Sequence, residues 1–194
     1  STVLSTRRRH RSVEPYQGRV YDVTVPNHIL LVRRNGKAMW SGNCGSYDGG
    51  REKAPAAICR KVAAAKLSGA RDIEIWGDGE QTRSFMFIED CIEGTLRLFA
   101  SDWRDPLNVG SSELVTINEM VSICEEIAGV QLRRRYRLDA PQGVRGRNSG
   151  NTRILAELGW EPTIRLRDGL AATYEWIYEQ LADAGSRRAA SLAR

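Results

Sequence analysis

The sequence changes character between residues 43 and 49, and this change constrains the fold more than any other feature. Residues 1–43 contain segments typical of β-strands, such as residues 20–25 (Val-Tyr-Asp-Val-Thr-Val), and show no long amphipathic helical pattern. From Gly49 onward, helical patterns alternate with short strand patterns. A chain of 194 residues is long enough for one medium domain or for two small ones. We therefore expect an all-β part followed by an α/β part.

In the first part, Asn35-Gly36 suits the positive φ angles of a type I′ turn. Residues 30–32 and 37–40 should therefore pair as the arms of a hairpin. In the second part, the patterns predict helices over residues 55–68, 89–99, 116–129 and 168–181, with Thr116 and Glu119 forming a capping box. Strands are expected at Ile73 and Ile75 and at Phe85 and Phe87, on either side of a glycine turn at residues 76–79. Residues 186–194 are expected to form a disordered tail.

Composition excludes several classes of protein. The chain has no run of about 18 apolar residues and no signal-like apolar core, so neither a membrane protein nor a secreted one is indicated. Four widely spaced cysteines without a Cys-x-x-Cys pair, and two histidines, predict no metal site and no disulfide framework. A cytoplasmic protein is the simplest expectation.

The net charge of +5 leaves nucleic acid, a phosphorylated small molecule and mere solubility all open. The basic run at residues 133–137 alternates with Leu132, Tyr136 and Leu138, which favours a solvated strand over a nucleic-acid patch. No Gly-x-Gly-x-x-Gly segment enters a helix, so no dinucleotide-binding loop is predicted in the chain.

An ordered set of polar residues ends the first part. Residues 18–44, from Gly-Arg-Val-Tyr-Asp to Ser-Gly-Asn-Cys, resemble the C-terminal splicing motifs of inteins. The chemistry fits the junction, because the Asn43 side chain can cyclise and break the Asn43–Cys44 bond, while the Cys44 thiolate can accept the upstream acyl group. The resemblance gives His28 the role of proton donor and places the Asp22 carboxylate nearby. Gly42 departs from the histidine that many inteins have before the terminal asparagine.

The alternative to this interpretation is an unusual β-hairpin domain. The N-terminal splicing half is not in the sequence, so the resemblance implies either the C-terminal precursor of a split intein or a fragment of an interrupted protein.

Four motifs follow in the second part: residues 49–57 (Gly-Gly-Arg-Glu-Lys-Ala-Pro-Ala-Ala), 76–85 (Trp-Gly-Asp-Gly-Glu-Gln-Thr-Arg-Ser-Phe), 143–149 (Gly-Val-Arg-Gly-Arg-Asn-Ser) and 158–162 (Leu-Gly-Trp-Glu-Pro). From Gly45 to about Gln180 the chain resembles GDP-mannose 3,5-epimerases of the extended short-chain dehydrogenase/reductase class. The resemblance implies the C-terminal substrate-binding part of an incomplete Rossmann-type enzyme.

Arginines in two of these motifs suit a nucleotide diphosphate-sugar, because planar guanidinium groups bind phosphates in bidentate fashion. Arg83 and Arg147 are the candidates, and their alternative role is that of ordinary surface arginines. The resemblance assigns both to the substrate, together with Glu52, Lys53, Ala54, Lys61, Gln81 and Thr82.

Lys53 is the candidate catalytic residue. Epimerisation at C3 and C5 needs a transient C4 ketone and an acid/base pair across the sugar ring. Like charge from Arg51 and Lys61 would lower the pKa of Lys53 toward neutrality. The resemblance makes Lys53 one member of that pair and places its cysteine partner in the N-terminal half, so Cys59, Cys91 and Cys124 are not expected to serve. By position alone, a solvated lysine is the alternative.

These inferences combine into one interpretation. Residues 1–43 form a small all-β intein (Hint-type) fragment, residues 44–185 the epimerase substrate-binding region, and residues 186–194 a tail. The resemblance implies NAD bound mainly by the N-terminal half, GDP-mannose as substrate and a homodimer when complete, with no nucleic acid or membrane as partner and no activity until the halves join. The alternatives are a trans-splicing precursor whose own activity is ligation and, more remotely, a nucleic-acid-binding protein.

Overall fold

The computed structural model describes residues 29–34, 37–42, 47 and 52–192. The chain divides into two compact units, residues 1–44 and 45–194. In the part of the chain described, no helix is both long and apolar enough to cross a lipid bilayer.

The first unit contains a β-hairpin. Strands β1 (Ile29–Arg34) and β2 (Lys37–Gly42) pair in antiparallel fashion, with Arg34 opposite Lys37. This register leaves two connecting residues, as the Asn-Gly pair predicts. The predicted hairpin is confirmed and its arms are longer than expected. The backbone of Asn35 and Gly36 lies outside the described residues.

The second unit is an α/β structure, as predicted. Its elements are α1 (Ala54–Ser68), β3 (Asp72–Trp76), β4 (Thr82–Ser84), α2 (Ile88–Ala100), β5 (Leu114–Thr116), α3 (Ile117–Ala128), β6 (Arg133–Arg137), β7 (Gly146–Arg147), α4 (Thr152–Leu158) and α5 (Leu166–Leu192). Local signals explain several boundaries. Gly69 ends α1 with φ of 72°, and Thr116 and Glu119 form the predicted capping box of α3.

Helices α1, α3 and α5 pack against one another and form the core with β3. Ile73 and Ile75 alternate along β3, and both are buried, as their spacing predicts. The helices contribute side chains that are fully or almost fully buried. Burying one of the larger apolar side chains stabilises the fold by roughly 1.5–3 kcal/mol. The buried side chains include Ile58, Val62, Met120, Val121, Leu170 and Ile177.

The described strands of the second unit form two small sheets. β3 pairs with β6 in parallel, and β4 lies between β5, which is antiparallel to it, and β7, which is parallel. The arginines of β6 are ion-paired, Arg133 and Arg135 with Asp72, Arg134 with Glu125, and Arg137 with Asp139. All residues of β6 except the partly buried Arg134 are exposed, so the predicted solvated strand is confirmed for the basic run.

Two expectations are corrected. Phe85 and Phe87 are not in a strand, because β4 ends at Ser84, opposite Leu114, where β5 begins. Phe87 is instead the extended residue that precedes α2. At the other end, α5 continues through the expected tail as far as Leu192, which the high helix propensity of alanine and arginine in that stretch favours.

Asp90 connects α2 to the loop before α5. Its buried carboxylate accepts hydrogen bonds from the Thr163 backbone N–H and hydroxyl and from the Ile164 N–H. Asp90→Ala should lower the free energy of unfolding by about 2–4 kcal/mol, because it leaves these donors unsatisfied. Chemical denaturation would measure the loss. Glu93→Ala on the exposed face of α2 should cost less than about 0.5 kcal/mol, and equal losses for the two variants would contradict this role.

Candidate functional site

The glycine turn at residues 76–79, which follows β3, is joined by an ion pair to the loop that precedes β7. Gly79 has φ of 77°, and a Cβ atom there would clash with the Asn118 side chain, so the turn requires glycine. Asp78 in this turn forms an ion pair of 2.6 Å with Arg145. The hydrogen bond from Arg145 lowers the pKa of Asp78, and the Glu80 backbone N–H adds to this effect. Two motifs that are 67 positions apart are thereby joined.

Arg83 and Arg147 lie on neighbouring strands. β4 and β7 run parallel, and the register places Thr82 beside Gly146 and Arg83 beside Arg147. Neighbouring strands are about 4.8 Å apart, and paired residues share a face of the sheet. The structure therefore brings the two predicted phosphate-binding arginines together.

Backbone oxygens hold the Arg83 guanidinium in place. It donates to the Thr82 carbonyl at 2.6 Å and to the Val144 carbonyl in the loop before β7. The Thr82 N–H donates in turn to the Arg145 carbonyl at 2.9 Å. A Cβ atom on Gly146 would lie 3.0 Å from Thr82 Oγ1, so the glycine permits the close approach of the two strands. Arg147 is exposed at the edge of the sheet.

Lys61 and Gln81 meet around Trp76 at the end of β3. Lys61 Nζ donates to the Glu74 carbonyl at 2.8 Å and lies 6.0 Å from the centre of the Trp76 ring. Gln81 Nε2 donates to the Trp76 carbonyl at 3.1 Å, and its buried Oε1 has no hydrogen-bond partner among the described residues. Burial lowers the pKa of Lys61, the positive charge of Arg60 acts in the same direction, and Glu74 and Glu52 oppose it.

The remaining predicted substrate residues lie where α1 begins. Glu52 forms an ion pair of 2.5 Å with Arg60, and the Glu52 side chain is almost fully buried. Lys53 is exposed and occupies the N-cap position, where its carbonyl accepts from the Ala57 N–H. Ala54 is the first residue of the helix. Among the described contacts, none joins Lys53 directly to the arginine pair.

The residues predicted for splicing, which are Asp22, His28, Asn43 and Cys44, lie outside the described part of the chain, as does Arg51. Cys59 and Cys124 are buried thiols with Sγ atoms 3.8 Å apart. Their hydrogen bond and burial raise the pKa of Cys124 far above the ordinary value for a thiol. Within the residues that the structure covers, no group of three or more histidine, cysteine, aspartate or glutamate side chains could hold a metal ion.

Known proteins match most of the chain. A family model described as GDP-mannose 4,6 dehydratase matches residues 33–173. GDP-mannose 3,5-epimerase 1 of Oryza sativa subsp. indica is 54% identical over 140 residues, which is 72% of this chain and 36% of the rice protein. The chain thus spans about a third of the length of this relative.

Solved structures match the same fold. UDP-glucuronic acid 4-epimerase of Bacillus cereus, in complex with UDP-glucuronic acid and NAD, has a TM-score of 0.57 and 28% identity over 69% of this chain and 43% of that one. UDP-glucose 4-epimerase of Thermotoga maritima, with UDP-glucose, has a TM-score of 0.62 and 24% identity over 70% and 42% of the two chains, and shows the fold alone. The α/β fold is that of extended short-chain dehydrogenase/reductase proteins. The chain belongs to the family described as GDP-mannose 4,6 dehydratase.

Sequence reasoning missed several residues that build this site. Asp78 and Arg145 belong to the motifs at residues 76–85 and 143–149, but nothing in their local sequence indicates that they pair. Nothing in the local sequence around Trp76 indicates that its ring lies near Lys61 or that its carbonyl accepts a hydrogen bond from Gln81. An acidic residue between two glycines, with a distant arginine also beside a glycine, is the only signal that the sequence offers for the ion pair.

Proposed function

We propose that the chain is the C-terminal, substrate-binding portion of an NAD-dependent GDP-mannose 3,5-epimerase and becomes active when it is joined to an N-terminal portion. The observation that carries the proposal is the Arg83–Arg147 pair on adjacent strands. The identity of 54% to a GDP-mannose 3,5-epimerase supports the choice of substrate.

Two like charges at paired positions of a sheet repel each other, and an anion bound between them would relieve that repulsion. Guanidinium groups form strong bidentate hydrogen bonds with phosphate. A diphosphate has two negatively charged phosphate groups, whose oxygens could accept hydrogen bonds from both arginines. Arg83, held by the two carbonyls, would orient one phosphate, and Arg147 at the sheet edge would bind from the exposed side.

Lys53 is proposed to transfer the proton at the sugar carbons. Its exposed amine is free of the helix cap, because the N-cap of α1 has no side-chain hydrogen bond. Lys61, which donates to the Glu74 carbonyl, and Gln81, which donates to the Trp76 carbonyl, would bind other polar groups of the same substrate. The second acid/base group is a cysteine that we place in the N-terminal portion, as the resemblance to the epimerases implies. Cys59 and Cys124 are buried and hydrogen-bonded to each other.

The described residues of this chain do not fit the role of a main binding site for NAD. The glycine turn at residues 76–79 leads into strand β4 rather than into a helix, so it offers no helix N-terminus to a pyrophosphate. We therefore assign NAD binding to the N-terminal portion.

We propose further that residues 1–43 are an intein fragment that is removed when the two portions are joined, with Asn43 cyclising and Cys44 accepting the acyl group. Two observations favour this. Strand β2 ends at Gly42, directly before Asn43, and the division between the compact units follows Cys44. One observation opposes the proposal: the match to the family model begins at residue 33, which lies inside the proposed intein fragment.

Arg83→Ala tests the sugar-nucleotide site. In the joined protein this change should lower the affinity for GDP-mannose by about 10- to 100-fold, because it removes a charge-assisted bidentate contact. Titration calorimetry would measure it. Arg167→Ala, which removes an exposed arginine paired with Glu126, is the matched control and should leave the affinity within about twofold of the original. Full affinity in Arg83→Ala would refute the site.

A further inference from the structure

Arg60 and Glu52 form an ion pair that joins the second turn of α1 to the residue before its N-cap. Arg60 Nε and Nη2 donate to the same carboxylate oxygen, Glu52 Oε1, at 3.1 and 2.5 Å. The Glu52 side chain is 4% exposed and that of Arg60 is 29% exposed. Helical side chains point toward the N-terminus of their helix, so the long arginine side chain reaches back to a residue eight positions earlier.

This ion pair lies directly beside Lys53, the proposed acid/base residue. Lys53 has extended backbone, with φ of −75° and ψ of 159°. Lys53 is exposed, whereas the side chain of the preceding Glu52 is almost fully buried, so the two neighbouring side chains point to different sides of the chain. A carboxylate that is anchored on the buried side therefore fixes the side to which the Lys53 amine is directed.

In the described residues, the start of α1 lacks the usual side-chain anchors. The N-cap residue has no side-chain hydrogen bond to the helix, and the first turn contains no acidic residue. The Lys53 carbonyl accepts a hydrogen bond of the first turn, from the Ala57 N–H at 2.9 Å. A buried ion pair adds little net stability over an apolar pair, and its best attested use is to select one arrangement of the chain. The Glu52–Arg60 pair suits that use at this helix start.

We propose that Arg60 is a positioning residue for proton transfer, which acts through Glu52 to direct the Lys53 amine, a role that rests on the proposed function of Lys53. The Glu52 side chain, a predicted substrate ligand, then acts on the chain itself rather than on the sugar nucleotide. A displacement of about 1 Å at a reacting group can cost on the order of 100-fold in rate. Loss of the anchor should therefore lower kcat more than it raises KM.

The first test measures the rate in a joined protein, made by fusing the N-terminal portion of the rice relative directly before Gly45 so that no splicing is needed. Arg60→Gln should lower kcat for epimerisation by roughly 10- to 100-fold and leave KM for GDP-mannose within about threefold. Arg60→Lys should recover most of the rate, because one ammonium can donate to the single oxygen that both arginine nitrogens share. Arg97→Gln is the matched control, since Arg97 makes the same two-nitrogen contact with Glu93 on the exposed side of α2, and it should keep the rate within about twofold.

The second test needs no activity and uses the 194-residue chain. In Arg60→Gln the Ala57 amide should exchange with D₂O about tenfold faster, because the start of α1 is no longer anchored, and NMR would measure the exchange. Arg60→Lys should match the unchanged chain. The Ala70 amide, which donates to the Ala65 carbonyl at the other end of α1, should keep its exchange rate in both variants.

The proposal is overturned if Arg60→Gln leaves the Ala57 amide unchanged, or if it accelerates the Ala57 and Ala70 amides equally, which would mean a general loss of stability. It is also overturned if kcat is unchanged or if KM rises as much as kcat falls. Lys53→Ala in the same fusion separates this inference from the function on which it rests. A slow Lys53→Ala beside a normal Arg60→Gln contradicts the positioning role alone, and a normal rate in both variants contradicts the proposed function as well.

Discussion

Replacing Lys53 with alanine in the joined protein is expected to slow epimerisation at C3 and C5 by about 10²- to 10⁴-fold, the usual contribution of a positioned acid/base group. The fold should be unaffected, because the side chain is exposed and forms no part of the α1 cap. The affinity for GDP-mannose should fall far less than the rate. Incorporation of deuterium from D₂O into the sugar, followed by NMR, measures proton transfer at both carbons.

A lysine on the same helix provides the control for charge. Lys66 Nζ donates to the Ala128 carbonyl near the other end of α1, and Lys66→Ala should therefore keep the rate within about twofold. If Lys53→Ala exchanges deuterium as fast as the unchanged protein, the assignment of the acid/base role to Lys53 is wrong.

The second large effect is expected at the junction between the two units. Asn43→Ala should abolish release of residues 1–43 when the chain is mixed with a matching upstream fragment, because no side-chain amide remains to attack the backbone carbonyl. Intact-mass measurement follows the reaction directly. Asn108→Ala, which removes an amide that donates to the Gly150 carbonyl in the second unit, should splice normally. Release of the same product from Asn43→Ala would exclude cyclisation at this residue.

The sequence predicted elements whose signals are local. The capping box of Thr116 and Glu119 sets where α3 begins, and Gly69 sets where α1 ends, because each is settled within a few residues. The length of β4 could not be predicted in this way. It depends on β5, which begins only at Leu114, opposite Ser84, and so Phe85 and Phe87 have no partner strand.

In the candidate site, too, the individual residues could be predicted from local sequence, but their arrangement could not. Arg83 and Arg147 were predicted one at a time, from glycine-flanked motifs, but their pairing depends on β7, a strand of two residues. Such a strand has no periodicity to detect. The placement of Lys61 and Gln81 around Trp76 likewise follows from the packing of α1 beside β3 and from the turn that follows β3, which only the folded chain brings together.

We expect this chain to hold a sugar-nucleotide site that works only in a joined protein. The most direct measurement is deuterium exchange into GDP-mannose by the 194-residue chain alone and by the same chain joined to an N-terminal portion, with NAD present in both. We expect no exchange at C3 or C5 from the chain alone, and exchange at both carbons after joining. Exchange by the chain alone, or none by a joined protein that is folded and binds NAD, would contradict the account.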